Sequence, residues 1–542
     1  APTGLRVLAG DVGGSFGMKG AAGREDGLVL WAARRLGRPG LWASGRTEAF
    51  LSDEHGRDLR AKATLALDEQ GRYLALDVEF RANIGAYLSR RSLGMVNNIG
   101  GLAGVYRIPA IRAGVTGVFT HTASVAPYRG AGRPEATYVV ERLLDAAARR
   151  LGRDPADLRR RNLIPAEAMP YQTALTFRYD CGDFAAVQAR AEALADRAGF
   201  AARRNAAAAR GRLRGLGIAS PIEIAGRPMG PSRADTARVS VAADGTIELR
   251  PGAMSVGQGH ETALARLVAD RLSVPEAAIA YRQGDTDLLA TGRGNGGSSA
   301  LVVGGTAVHA AIEALIEKGR AIAAEALEAA IADVSFRDGR FAVAGTDLTL
   351  TLAEAAARAG PDGFAADAWH APEEPTYPNG CHICEIEIDP ETGAVAIVAY
   401  AAVEDVGTVL DPALVEGQMQ GGIAQGMGQA LGERIVYDRA TGQLISGSFL
   451  DYRMPIAADM GRPVLETLAV PTAVNPLGAK GVGEAGTVGA LAAVMNAVCD
   501  ALAPFGIEHL DMPATPERVW RAIRDARQRG EARSTDRRED RR

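Results

Sequence analysis

Lys480-Gly481-Val482-Gly483-Glu484-Ala485-Gly486-Thr487 sets one acid among three glycines just before the apolar run Ala490–Ala503. A loop that only turns the chain at the surface seldom needs three glycines around one carboxylate. A loop that brings bare backbone close to a ligand does. The same unit of strand, glycine turn and helix recurs near residues 10–36, 252–272 and 284–316. The spacing follows no fixed short period, and no Gly-x-Gly-x-x-Gly opens a helix after a strand, so a regular βαβ array with one dinucleotide fingerprint is excluded. The predicted fold class is α+β, with mixed sheets and flanking helices.

Outward from that loop, the rest of the chain divides readily. Alternating stretches at 60–67 and 73–80 flank the turn Asp68-Glu69-Gln70-Gly71, and those at 236–242 and 246–251 flank Asp244-Gly245, so both read as hairpins. Strands are also expected at 383–388 and 394–401, and at Leu5–Ala9. Helices are expected at 27–36, 135–151, 154–162, 261–272, 307–330, 415–432 and 490–503. The Ala/Arg-rich stretch 185–210 closes a first domain, 1–210; a second runs 211–525. From Ala526 the chain is rich in Arg, Asp and Glu with almost no apolar residue, and 526–542 is expected to be a disordered tail.

Composition narrows the function classes. Of the 542 residues, 47% are hydrophobic and 23% charged, ordinary for a folded chain with a sizeable core. A net charge of −4 favours neither nucleic acid nor an anionic membrane surface. No apolar run is read as reaching the roughly 18 residues of a membrane span, and Ala1–Leu8 lacks a signal-peptide pattern. Four cysteines are too few for a disulfide scaffold or for two iron–sulfur clusters, and a reducing cytoplasm is the expected location.

Four further loops carry candidate chemistry. Gly13-Gly14-Ser15-Phe16-Gly17 would let a flat ligand approach beside the Phe16 ring, though by itself it reads equally well as a tight turn. Tyr128-Arg129-Gly130-Ala131-Gly132-Arg133-Pro134-Glu135 sets two guanidinium forks at a helix start, where anionic or carbonyl oxygens bind well. In Gly257-Gln258-Gly259-His260, the Gln258 amide can pair with a heterocycle edge. The run 292–299, including Gly297 and Ser298, can form an anion nest. Glu484, with little polar surface in its loop, is expected to be partly desolvated and raised in pKa, which suits a general base. Cys381-His382-Ile383-Cys384 has zinc-ligand spacing but no two further ligands, and reads as packed cysteines. Gly284-Asp285-Thr286-Asp287 reads as a turn rather than a metal pair.

Together and in this order, the five loops resemble those of the molybdenum-binding large subunit of the xanthine dehydrogenase, aldehyde oxidase and carbon monoxide dehydrogenase family, over about residues 1–525. The stretch 126–135 is similar to the carbon monoxide dehydrogenase-like variant. The resemblance implies molybdopterin-binding domains and a molybdenum–molybdopterin cofactor, commonly the cytosine dinucleotide in bacteria, whose dithiolene holds the metal without a protein Cys or His. It implies that Gly14, Phe16 and Gly17 line the cofactor near the metal and that Arg129 stands beside the substrate pocket. It assigns Gly257, Gln258, Gly259, Gly297, Ser298, Gln418 and Gly483 to the pterin or its phosphates. Glu484 would be the base that deprotonates a hydroxyl nucleophile, for hydroxylation of an aldehyde or N-heteroaromatic carbon with water-derived oxygen. Partners implied are a [2Fe-2S] subunit and an FAD subunit, in a dimer of heterotrimers.

Three departures qualify this. Gly130 stands where carbon monoxide dehydrogenases have the Cys that holds copper, which argues against CO oxidation. Gly20 stands where xanthine-oxidising members have a second Glu, which argues against purines. Family chains also extend upstream through a smaller α/β domain carrying a Gln over the metal, so a separate N-terminal-domain subunit is one expected partner. The alternatives are a truncated or non-catalytic homologue that needs a partner to complete its site, and, more weakly, a nucleotide-dependent dehydrogenase.

Overall fold

The computed structural model of the chain describes residues 4–89, 96–226, 234–289, 291–360 and 363–539. Three sheets carry the architecture. The first pairs β1 (Leu59–Leu67) antiparallel with β2 (Tyr73–Gly85), and β2 parallel with β3 (Ala110–Phe119). Helix α1 (Arg133–Arg150) packs against it; Val78, Leu102, Val140 and Leu144 belong to their shared core. The second sheet has β5 (Asp235–Val241) between β6 (Ile247–Pro251) and β8 (Phe364–His370), with β7 (Ile279–Tyr281) at the edge beyond β6. It is covered by α4 (His260–Leu272) and α5 (Thr306–Ala326).

The third sheet positions the site. Its order is β11 (Val464–Thr467), β10 (Val395–Asp405), β9 (Asn379–Ile388), β4 (Leu213–Ala219). On one face lies α7 (Ala485–Leu502), almost every residue of which is buried. The helix sits unusually close to β4 because Gly215 and Gly217, two residues apart and so on one face, have no side chains to hold it off. A Cβ at Gly215 would stand 2.0 Å from the Ala497 carbonyl oxygen, and one at Gly217 would stand 2.0 Å from that of Ala493. On its other side α7 meets α6 (Pro412–Leu431) through small residues: a Cβ on Gly422 would come within 3.0 Å of Gly486 Cα, and one on Gly426 within 2.5 Å of the Ala490 methyl. The opposite face of the sheet is covered by α3 (Phe184–Leu194). Cys384 packs on the α7 side and Cys381 on the α3 side, so the two thiols point apart and cannot share an ion.

A buried ion cluster ties these parts together. Arg159, on α2 (Pro155–Asn162), is fully buried; it meets Glu141 at 2.7 Å and Asp145 at 3.4 Å on α1 and donates to the Ile218 carbonyl of β4. Arg142 of α1 donates at 2.6 Å to Asn496 of α7, whose amide also donates to the Ile218 carbonyl.

Three expectations need correction. Leu5–Ala9 is not a strand: it makes a single bridge, Leu8 with Asp285, and Arg6 pairs with Asp285 at 2.6 Å. The stretch 526–539 is helical, as the end of α8 (Pro516–Glu539), rather than a disordered tail. Its first turns are anchored in the core by Val519 and Ile523, and Arg, Glu, Gln and Ala propagate a helix well once it has begun. Residues 540–542 lie outside the described residues. Finally, Ala300–Ala326 and Ala485–Phe505 are long and apolar enough, by length and composition, to cross a membrane; 61% and 78% of their apolar windows are buried inside the fold, as expected of core helices.

Candidate active site

The site forms where α7 begins. Glu484 is its N-cap residue, 13% exposed at the side chain. Its carboxylate is held at both oxygens. Oε1 accepts the Gly130 backbone N–H at 2.7 Å; Oε2 takes Arg133 Nη2 at 2.7 Å and the Ser298 hydroxyl at 3.1 Å. The Gly130 N–H points there from a turn in which residues 130–132 run left-handed in succession (φ 98°, 42° and 100°), while the Ala131 and Gly132 N–H groups donate to the Tyr128 carbonyl and to Glu135 Oε2. Gly130 is required twice over: its φ disfavours a side chain, and a Cβ would lie 2.3 Å from Pro134 Cγ.

This reverses the expected direction of the Glu484 pKa shift. Burial pushes its pKa up, but the Arg133 charge and the hydrogen bonds around it outweigh burial and hold the carboxyl below its ordinary value. The group that is raised is Glu223, whose significance is not visible in the sequence. Glu223 lies past the end of β4, 2% exposed, with Arg133 Nη2 3.4 Å from its Oε1. Burial first, and then the negative charge of Glu484, push it well above the usual carboxylate range. The one available signal was Pro221-Ile222-Glu223-Ile224-Ala225-Gly226, a lone acid inside an apolar run.

Arg129 joins three elements. Its Nε donates to the Gly483 carbonyl, Nη1 to Gln425 Oε1 at 3.2 Å, and Nη2 to Gln418 Oε1 at 2.9 Å and the Gln418 carbonyl at 3.2 Å. The guanidinium stacks 5.3 Å from the centre of the half-exposed Phe16 ring. Gly17 lets that loop approach: at φ 131°, a Cβ there would sit 2.0 Å from the Pro127 carbonyl oxygen. Gly14 lies beneath the Phe16 ring, within 3.1 Å of where its own Cβ would be. Thus Gly14, Phe16, Gly17, Arg129, Gln418, Gly483, Glu484 and Ser298 come together.

Gly257, Gln258 and Gly259 form a neighbouring wall. Gln258 turns inward: Oε1 accepts the Val256 N–H at 2.5 Å, and Nε2 reaches the Met254 carbonyl at 3.0 Å and His260 Nδ1 at 3.2 Å. Both ends of its amide are therefore taken within the loop, and the expected pairing with a heterocycle edge is not available in this arrangement. What remains outward is backbone. Gly257, Gly294, Gly296 and Gly297 have positive φ with open space where a Cβ would point. The run 292–299 joins the two walls: a Cβ on Gly292 would stand 2.8 Å from the Gly252 carbonyl oxygen, while Ser298 touches Glu484. Bare glycine backbone beside the start of α4, with Arg129 and Arg133 nearby, fits an anionic, phosphate-bearing group.

Family models described as molybdopterin cofactor-binding domains match residues 2–163 and 190–461. The chain is 36% identical over 535 residues to the 6-hydroxypseudooxynicotine dehydrogenase complex subunit gamma of Paenarthrobacter nicotinovorans, covering 95% of this chain and 66% of that one. It is 33% identical over 553 residues to the carbon monoxide dehydrogenase large chain of Hydrogenophaga pseudoflava, covering 96% and 68%. Among solved structures, quinoline 2-oxidoreductase from Pseudomonas putida 86 superposes with a TM-score of 0.89 at 35% identity, covering 96% of this chain and 69% of that one. The chain thus spans about two thirds of the length of these relatives.

Proposed function

The chain belongs to the molybdenum-binding large-subunit family of xanthine dehydrogenases, aldehyde oxidases and carbon monoxide dehydrogenases, and on that premise we propose that it is the catalytic part of a molybdenum hydroxylase acting on an N-heteroaromatic or aldehyde carbon. The observation that carries this reading is the Glu484 carboxylate: fixed by Gly130, Arg133 and Ser298, and still partly open beside Phe16 and Arg129. The molybdenum–pterin group, when bound, supplies the two-electron acceptor and the oxygen derived from water.

The chain's own residues do the rest. Glu484 takes the proton from the attacking oxygen, so that the nucleophile gains charge as it meets the electrophilic carbon. Arg133 and the Gly130 N–H keep the carboxylate aimed and stabilise its charge until it takes the proton. Arg129 locks the Phe16 loop, α6 and the Glu484 loop into one register, and the Phe16 ring offers a flat apolar surface to a planar substrate. Nitrogen heterocycles are favoured among substrates because nicotine 6-hydroxylase and quinoline 2-oxidoreductase are among the relatives. Carbon monoxide is disfavoured: position 130 has no thiol for copper, and its backbone leaves no room for a side chain.

The outward glycines Gly257, Gly294, Gly296 and Gly297 are assigned to the cofactor's phosphates, with the cytosine dinucleotide as the proposed form. Electrons would leave to iron–sulfur and FAD subunits in a reducing cytoplasm. The test is metal and pterin analysis of the chain produced with its partner subunits, followed by Glu484→Gln. We expect molybdenum near one per chain in both proteins and at least a ~100-fold loss of turnover in the variant. Full activity in the variant would overturn the assignment of the base, and a folded wild type without molybdenum would overturn the hydroxylase reading.

A further inference from the structure

We propose that Glu223 is the proton-holding partner of Glu484: the two acids carry one proton between them, seated on Glu223, which donates a hydrogen bond to Glu484 and keeps it aimed and ionised. This makes Glu223 a positioning residue, and the inference rests on the reading of Glu484 as the base.

The geometry supports it from several sides. Glu223 is almost entirely buried. Its N–H donates to the Pro378 carbonyl at 2.8 Å, Ala225 pairs with Thr376 in both directions, and Ile222 and Ile224 are buried in the core beside α1. Yet among the described residues neither of its carboxylate oxygens meets a hydrogen-bond donor in bonding geometry. A buried carboxylate without donors costs several kcal/mol and is resolved by protonation. Among the described residues, the charges that face it are three. Arg133 on α1 is closer to Glu484, at 2.7 Å against 3.4 Å. Arg129 directs its guanidinium to the neutral acceptors of Gly483, Gln418 and Gln425. Glu484 itself faces Glu223 from the start of α7 and is the third; Ser298 adds a neutral hydroxyl. Two ionised carboxylates are both acceptors and repel. One proton turns Glu223 into the donor that Glu484 lacks on that side, and leaves a single negative charge for Arg133 to balance. Nothing is oxidised or reduced, and the only atom concerned is that proton.

The test has two arms. The first is infrared spectroscopy of the purified chain, wild type minus Glu223→Gln, at neutral pH. We expect a carbonyl band of a protonated carboxylic acid in the wild type that the variant lacks; no such difference overturns the proposal. This arm reads the pairing with or without bound cofactor, so it stands apart from the hydroxylase reading. The second arm is turnover of the loaded enzyme. Glu223→Ala, which removes the donor, is expected to lower kcat/KM by about 10–100-fold, and Glu223→Gln, which still donates, to recover most of it while losing the alkaline limb of the pH profile. Equal damage by Ala and Gln would mean that Glu223 acts as an anion, and would overturn the proposal. If Glu223→Ala does not fold, Glu223→Gln against wild type still decides, by the infrared difference and the pH profile.

Discussion

Glu484 shows what a single residue's sequence context can and cannot reveal. Its loop marked it as the candidate base because three glycines around one acid are hard to explain otherwise, and Gly483, Ser298, Arg129 and Gln418 do gather about it. Its charge state was not legible, because the groups that set it come from positions 130, 133 and 223, hundreds of residues away. Gly130→Ala should move the N–H that holds Glu484 Oε1, since the new methyl collides with Pro134. The expected result is a fall in kcat of tenfold or more with molybdenum content retained, measured by steady-state kinetics and metal analysis. His260 supplies a pH prediction. Burial lowers its pKa to about 4, so between there and the unfolded value of about 6.5 the unfolded chain binds the extra proton. Stability should therefore be lost as pH falls from about 6.5 towards 4, by an amount of order 2–3 kcal/mol. His260→Gln should flatten that slope in urea titrations.

At the scale of elements, periodicity located most helices and the hairpin 59–85 because each face is amphipathic. Parallel pairings such as β2 with β3 were not legible, since nothing local records which distant strand will lie alongside. The pairing of β4 with α7 through Gly215 and Gly217 was equally hidden: two glycines in a strand read as a weak strand until the helix above them is known. Gly217→Ala should force α7 off the sheet, costing about 1–3 kcal/mol as an overpacked core position, read as a lower urea midpoint. The buried cluster about Arg159 is a sharper case. Arg159→Ala leaves the buried Glu141 without its guanidinium, while Asp145 keeps Arg149 at 3.1 Å, and should cost about 3–5 kcal/mol.

On the scale of the whole molecule, the site belongs to no single sheet. Phe16, Arg129, Glu223, Ser298, Gln418 and Glu484 arrive from both sides of residue 210. A boundary there is a plausible reading of composition, but α1 from the first part is bound to α7 from the second through Arg142 and Asn496. A protease site introduced after Gly211 should therefore yield two pieces that co-elute on size exclusion and separate only in denaturant. Pieces that part in native buffer would mean the cluster contributes little to cohesion.

The near-contact of α7 with β4 makes the helix a beam clamped along its length, with the base at its leading end. A slight lift anywhere along β4 becomes a displacement at Glu484, far from the residue altered. Genetic screens for loss of activity should thus recover soluble, folded variants on a strand that touches neither substrate nor cofactor, and their defects should worsen on warming as the clamp loosens.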